Sequence, residues 1–143
     1  MGRFAHFIEW PDNNKKYFII TLIDENPFNK MLDELYAGKT IHGKPILIHY
    51  VTSIKDIPDS NILFITLDNQ HQVQQAINYA QQQSMLSISE RRGFAQRGGI
   101  IQLNFVMQKT HLTINYDAAV KSNIKIKSPL LAIAKKVIHG EVQ

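Results

Sequence analysis

The residue types best suited to chemistry cluster in residues 87–106, between two apolar segments. Three arginines and three glycines share this stretch with Phe94: they are Arg91, Arg92, Arg97, Gly93, Gly98 and Gly99. Glycine reaches positive φ and lets another backbone come close, while the guanidinium group is a planar donor that stays charged. We predict that this loop binds an anion or an acidic protein partner through Arg91, Arg92, Phe94, Arg97, Gly98 and Gly99.

The same residues also have a plainer interpretation. A Gly-Gly pair at the entrance to a strand is more often a tight turn than a binding site, and surface arginines are usually just solvated. For any single residue this structural interpretation is the more common one. The functional interpretation applies to the loop as a unit.

Enzyme chemistry finds little support in the sequence. There is no Gly-x-Ser-x-Gly and no other familiar nucleophile context, and the six histidines include no pair at the spacing of one helical turn. The run Arg97-Gly98-Gly99 leads into a strand, whereas phosphate-binding loops lead into a helix. We therefore predict no catalytic residue, no metal and no cofactor.

Trp10 and its neighbours form a second notable group. Tryptophan after a short helix is typically a core anchor rather than a ligand platform, and Pro11 ends that helix. We expect Glu9 to hydrogen-bond to the backbone of the central loop. Together with Asn115, these residues are predicted to have structural roles.

Composition limits the remaining alternatives. A chain of 143 residues with 44% hydrophobic content suits one domain covering residues 1–143. Its 16 Lys and Arg exceed its 12 Asp and Glu only mildly, without the concentrated patch that nucleic-acid binding needs. The sequence contains no run of about 18 apolar residues, so we predict no membrane insertion. It also has no cysteine, so it forms no disulfide.

Apolar runs and alternating segments predict the strands, in chain order: 17–23, 40–41, 44–51, 61–67, 85–89, 100–107 and 112–116. A tight turn with positive φ at Gly43 joins the second and third, and residues 108–111 join the last two into a hairpin. We therefore expect a mixed sheet with Rossmann-like order in its first part and an antiparallel hairpin near its end.

Helical spacing of apolar residues predicts the flanking helices: 3–10, a helix from Pro27 closed by Gly38, 70–83, 118–122 capped by Asp117, and a last helix from Ser128 through Ile138. Strands that alternate with helices pack as layers, so the fold class is α/β with helices on the faces of one mixed sheet.

Four segments resemble the YfiR-like family of extracytoplasmic proteins. Residues 93–100 resemble its Gly-Phe-Ala-Glu-Arg-Gly-Gly-Met signature, with Gln96 where Glu is usual. Residues 4–11 resemble Phe-x-x-Phe-x-Glu-Trp-Pro, residues 26–28 with 38–46 resemble Pro-Phe…Gly-Lys-Thr-Val-Asn-Gly-Arg-Pro-Ile, and residues 114–119 form the fourth segment. Together the segments span almost the whole chain in the family's order.

The resemblance implies a small non-catalytic periplasmic domain, with a secretion signal and the first turns of the first helix upstream. The best-known member of the family represses a membrane-bound diguanylate cyclase, which makes cyclic di-GMP, by binding its periplasmic part. Other members are fused to sensor kinases, and members often form dimers. The implied partner is the periplasmic domain of an inner-membrane diguanylate cyclase or sensor kinase. The alternative is a sensor domain whose arginines hold a small anionic ligand.

Overall fold

Ten strands form two sheets in a computed structural model that describes residues 2–11, 16–24 and 38–138. They are β1 (Ile8–Glu9), β2 (Phe18–Ile23), β3 (Thr40–Ile41), β4 (Lys44–Val51), β5 (Ile62–Ile65), β6 (Leu86–Ser89), β7 (Ile101–Val106), β8 (Lys109–Asn115), β9 (Lys125–Ile126) and β10 (Lys136–Ile138). β1 pairs antiparallel with β9. The other eight form one sheet in the order β10-β8-β7-β6-β5-β2-β4-β3.

The centre of this sheet is parallel and buried on both faces. β4, β2, β5, β6 and β7 run parallel, and every residue of β5 and β6 is buried. Strands covered on both faces need continuous apolar runs, which explains sequences such as Ile-Leu-Phe-Ile in β5. Because β4 lies on one side of β2 and β5 on the other, the order is that of a doubly wound fold.

Helices cover the two faces of the sheet. Helix α1 (Gln70–Gln82) begins at Asn69, whose side chain accepts a hydrogen bond from Gln72 N at 3.1 Å. Its buried residues pack with Leu63 and Ile65 of β5. The opposite face, which carries Ile62 and Phe64, packs against three short elements: the 3₁₀ helix Gly2–Phe7, α2 (Tyr116–Lys121) and α3 (Ser128–Ile133). Alternate residues of one strand thus supply two separate cores.

The predicted α/β fold, its Rossmann-like order and the terminal hairpin are confirmed, and so is positive φ at Gly43, at 76°. The predicted helix from Pro27 lies outside the described residues. None of the helices in the described ranges is long and apolar enough to cross a membrane.

Four local predictions were wrong. The first helix is a 3₁₀ helix that ends at Phe7, because Ile8 and Glu9 pair with β9. The hairpin turn consists of Met107 and Gln108 alone, both with positive φ, so β8 begins earlier than expected. Helix α2 begins two residues earlier, at Tyr116, because the cap is Asn115 rather than Asp117.

The fourth error concerns the last predicted helix, which ends at Ile133. Lys136–Ile138 instead form β10, a strand that pairs in parallel with β8. Ile133, whose spacing would place it on the inner face of that helix, is 69% exposed. An apolar spacing that fits a helix over so short a segment fits a partly buried strand as well.

Candidate functional site

The arginine loop follows β6 and carries its three arginines in different environments. Arg91 is half-buried, and its guanidinium group donates to Leu67 O at 3.4 Å and to Gln70 Oε1 at 3.2 Å. Arg92 and Arg97 are exposed. Arg91 therefore fastens the loop to the start of α1, and the two other arginines present their charge to solvent.

The glycines and Phe94 shape the inside of this loop. Phe94 is fully buried in the core beneath α1. A β-carbon built on Gly99 would overlap its ring, so only glycine fits at that position. Gly98 ends a 3₁₀ turn over Ala95–Arg97 with φ at 108°, in the left-handed region that favours glycine. Phe94 and Gly99 thus lie inside the protein, and whether the loop binds a partner stays a prediction.

A buried polar network holds the loop in place. Gln102 Oε1 accepts from Ala95 N at 3.0 Å, Asn115 Nδ2 donates to Ala95 O at 2.7 Å, and Ser87 Oγ accepts from Ile100 N at 2.9 Å. Buried hydrogen bonds of this kind fix a backbone, because breaking one leaves a polar group unsatisfied. Asn115 takes part in this network, and the roles of Ser87 and Gln102 were missed.

Helix α1 extends the exposed part of the loop. Gln74 Nε2 donates to Arg97 O at 3.2 Å and to Asn78 Oδ1 at 3.2 Å. We call the combined area of Arg92, Arg97, Gln74 and Asn78 the arginine surface. The sequence of α1 contains no Asp or Glu, so no carboxylate from that helix neutralises the two guanidinium groups. Gln96 is also exposed, so having Gln there instead of Glu changes the surface and not the core.

A small pocket of about 270 Å³ lies beside Arg91. Its lining includes the carboxylates of Asp68 and Glu90 together with Arg91. Two carboxylates against one guanidinium group, which already donates to Leu67 O and Gln70 Oε1, make a poor site for an anion. The predicted anion site is therefore less well supported here than a protein contact.

Glu9 and Trp10 lie far from this loop in the fold. Trp10 packs with Phe18 on the face of the sheet opposite to Phe94. Glu9 therefore points at another partner: its Oε1 lies 3.8 Å from Lys127 Nζ. The expected hydrogen bond between Glu9 and the central loop was wrong for this reason. Pro11 is exposed and follows the end of β1.

The described residues contain no group of side chains suited to hold a metal ion. No group of three or more His, Asp or Glu side chains converges there. The Nε2 atom of His42, for example, is hydrogen-bonded to two backbone carbonyl oxygens, Ala5 O at 3.0 Å and Ile8 O at 3.1 Å.

Comparison with known proteins assigns the chain to a family. A search of curated proteins found no match. Among solved structures, a conserved domain protein from Vibrio cholerae O1 biovar El Tor is similar, with 19% sequence identity and a TM-score of 0.61. The match covers 82% of this chain and 54% of that one, so the chain spans about half of its neighbour's length. At this identity the likeness shows the fold alone.

The family model described as DUF4154, YfiR/HmsC-like, matches residues 1–135, and the chain therefore belongs to the YfiR/HmsC-like family.

Proposed function

We propose that this chain is a non-enzymatic periplasmic regulatory domain. It binds the extracytoplasmic part of a membrane signalling protein, a diguanylate cyclase in the first instance, and holds that protein inactive. Less cyclic di-GMP would be made, and biofilm formation would fall. Membership of a regulatory family supports the regulatory role and the periplasmic location. Formation of a homodimer remains a prediction.

The observation that carries the proposal is the rigid display of Arg92 and Arg97. The loop is fixed from inside by Phe94 and by the hydrogen bonds to Ala95, yet both arginines project into solvent. A fixed loop loses little conformational freedom on binding, and arginine is enriched among the residues that dominate interface energies. The buried contacts therefore hold in place a loop whose exposed side chains are cationic.

The chemistry of this surface indicates what it would bind. The amide groups of Gln74 and Asn78, next to the backbone of Arg97, can donate and accept hydrogen bonds without adding charge. An acidic patch on the partner, with carboxylates arranged for paired contacts to arginine, complements such a surface.

A binding measurement tests the proposal. The purified chain is titrated with the extracytoplasmic domain of a membrane-bound diguanylate cyclase from the same organism. The double variant Arg92→Ala, Arg97→Ala should bind at least about 30-fold more weakly, because it removes two desolvated arginine contacts. Its circular dichroism and melting temperature should match those of the parent. Arg91 is left intact because it fastens the loop.

The matched control removes the same charge elsewhere. Lys109→Ala with Lys121→Ala changes two exposed cations on β8 and α2. That variant should bind within about twofold of the parent at physiological salt. If both double variants bound the cyclase domain equally weakly, the effect would come from net charge alone. If the arginine variant bound with unchanged affinity, the arginine surface would have no part in binding.

The alternative function, an anionic-ligand sensor centred on this loop, has less support. The pocket beside Arg91 brings two carboxylates to the place where the anion would sit. A thermal-shift screen against anionic metabolites separates the two functions, because stabilisation that disappears in Arg92→Ala, Arg97→Ala would favour the sensor.

A further inference from the structure

Helix α3 presents an apolar surface to solvent. Its exposed residues are Ser128, Pro129, Ala132 and Ile133, of which none is charged and three are apolar. Ile133 alone is 69% exposed. The outer side of a helix at the surface of a protein ordinarily carries charged and polar side chains. The outer side of α3 therefore has the composition of a contact surface rather than of a face that meets only water.

Three contacts fix the position of α3. Leu130 is fully buried in the core that also contains Phe64, on the face of the sheet opposite to α1. Before the helix, Lys127 N donates to Phe7 O at 2.8 Å, and after it Lys135 N donates to Leu112 O at 2.8 Å. Because both ends and the inner side are held, the outer side stays exposed and needs no rearrangement before it binds.

Exposed lysines flank the helix on both sides. Lys127 precedes it, and Lys135 and Lys136 follow it. Residues 127–136 contain no Asp or Glu. Lys127 Nζ lies 3.8 Å from Glu9 Oε1, and that pair is about half exposed, so it is weak. Lys135 and Lys136 form no ion pair with any residue that the structure describes. The apolar surface of α3 thus lies between cationic groups.

This combination fits the surface of an anionic lipid bilayer better than it fits a protein or a nucleic acid. Lysine is a compact charge on a flexible stem, which can follow headgroup phosphates, whereas arginine suits carboxylates in a fixed geometry. Apolar residues between lysines let a short segment reach the boundary between headgroups and acyl chains. A second copy of the chain would bring its own lysines against these. Residues 127–136 also lack the aromatic and arginine side chains typical of nucleic-acid binding.

We propose that α3 and its flanking lysines bind the surface of a membrane that contains anionic phospholipid. Ile133 enters the boundary between headgroups and acyl chains, while Lys127, Lys135 and Lys136 contact lipid phosphates. The six residues of α3 lie on the membrane and do not cross it. The proposal does not depend on the arginine surface, because α1 and α3 pack on opposite faces of the sheet.

Vesicle sedimentation tests the proposal. The chain should bind vesicles of phosphatidylcholine and phosphatidylglycerol, mixed about two to one, at least about tenfold more tightly than vesicles of pure phosphatidylcholine. Lys135→Gln with Lys136→Gln should weaken binding to the anionic vesicles at least about tenfold, because each lysine near an anionic surface contributes separately. The matched control, Lys55→Gln with Lys109→Gln, removes two exposed lysines elsewhere and should stay within about twofold of the parent.

A second pair of variants tests the apolar contact. Ile133→Ser should weaken binding to the anionic vesicles at least about threefold, because it removes the side chain that leaves water on binding. Its control is Met107→Ser, at a hairpin residue that is 90% exposed, which should leave binding unchanged. Both substitutions are at exposed positions, so circular dichroism and melting temperature should match those of the parent.

Three results would overturn the proposal: equal binding to the two kinds of vesicle, equal loss in the two double lysine variants, or equal binding by Ile133→Ser and the parent. Binding to soluble polyglutamate without binding to vesicles would also overturn it, and would indicate an acidic protein as the partner.

The vesicle test stays separate from the proposed function. The double variant Lys135→Gln, Lys136→Gln should bind the purified cyclase domain as the parent does. Arg92→Ala, Arg97→Ala should bind the anionic vesicles within about twofold of the parent, because its changes lie on the other face of the sheet. Failure of either proposal therefore leaves the other in place.

Discussion

A β-carbon on Gly99 would occupy the space that the ring of Phe94 fills. Phe94 is fully buried, so the ring has no nearby solvent into which it could turn. We predict that Gly99→Ala lowers the free energy of unfolding by about 3 kcal/mol, because overpacking a rigid core forces neighbours out of their preferred geometry. Denaturant unfolding of the variant and the parent measures this loss.

Gly43→Ala is the matched control for that substitution. Gly43 has φ at 76° and open space around it, so alanine there meets backbone strain without a clash and should cost about 1 kcal/mol. The double variant Gly99→Ala, Phe94→Leu should be more stable than the sum of its single changes predicts, because leucine vacates part of the ring volume. Strict additivity would contradict the steric explanation.

Asn115 should matter more than an ordinary helix cap. It accepts from Ala118 N at 3.0 Å and also donates to Ala95 O at 2.7 Å, so its loss frees a buried carbonyl in the arginine loop. We expect Asn115→Ala to cost about 3 kcal/mol of unfolding free energy, against about 1 kcal/mol for Asn69→Ala, an exposed cap whose side chain makes no second hydrogen bond to the residues that the structure describes. Similar losses for the two variants would show that the bond to Ala95 contributes little.

The indole hydrogen bond of Trp10 predicts a smaller effect. Trp10→Phe keeps a ring but removes the donor to Asn61 O, so unfolding free energy should fall by about 1–2 kcal/mol. Tyr17→Phe removes a hydroxyl from a side chain that is 43% exposed and should change stability by less than about 0.5 kcal/mol. Thermal melting of both variants under one buffer condition provides the comparison. A change in Tyr17→Phe as large as that in Trp10→Phe would contradict it.

Much of the fold could be predicted from the sequence, because its central strands are continuous apolar runs. Ile62–Ile65 can only be buried on both faces, and the stripe of Val73, Ala76, Ile77 and Ala80 fits only a helix packed on one side. The turn at His42-Gly43 was likewise predictable, since Gly43 marks positive φ. The prediction was wrong for short elements whose apolar pattern fits both a helix and a strand, as for Val137 and Ile138 in β10.

The sites were less predictable, because tertiary contacts decide what each residue does. Nothing local distinguishes the tethered Arg91 from the exposed Arg92, and the difference depends on Leu67 and Gln70. A cleft at Trp10 joins residues from five separate segments, including His42 and Lys127, which no sequence spacing connects. The position of the hairpin turn was wrongly predicted for another reason. Met107 and Gln108 adopt positive φ, and no glycine in the sequence marks that turn.

Repression itself is tested most directly by cyclase activity. Membranes that contain the partner diguanylate cyclase are assayed for cyclic di-GMP synthesis with increasing amounts of the purified chain. The parent and the Lys109→Ala, Lys121→Ala control should inhibit synthesis saturably, and Arg92→Ala, Arg97→Ala should need at least about 30-fold more protein for the same inhibition. Equal inhibition by the arginine variant, at equal folded concentration, would contradict the role assigned to the arginine surface.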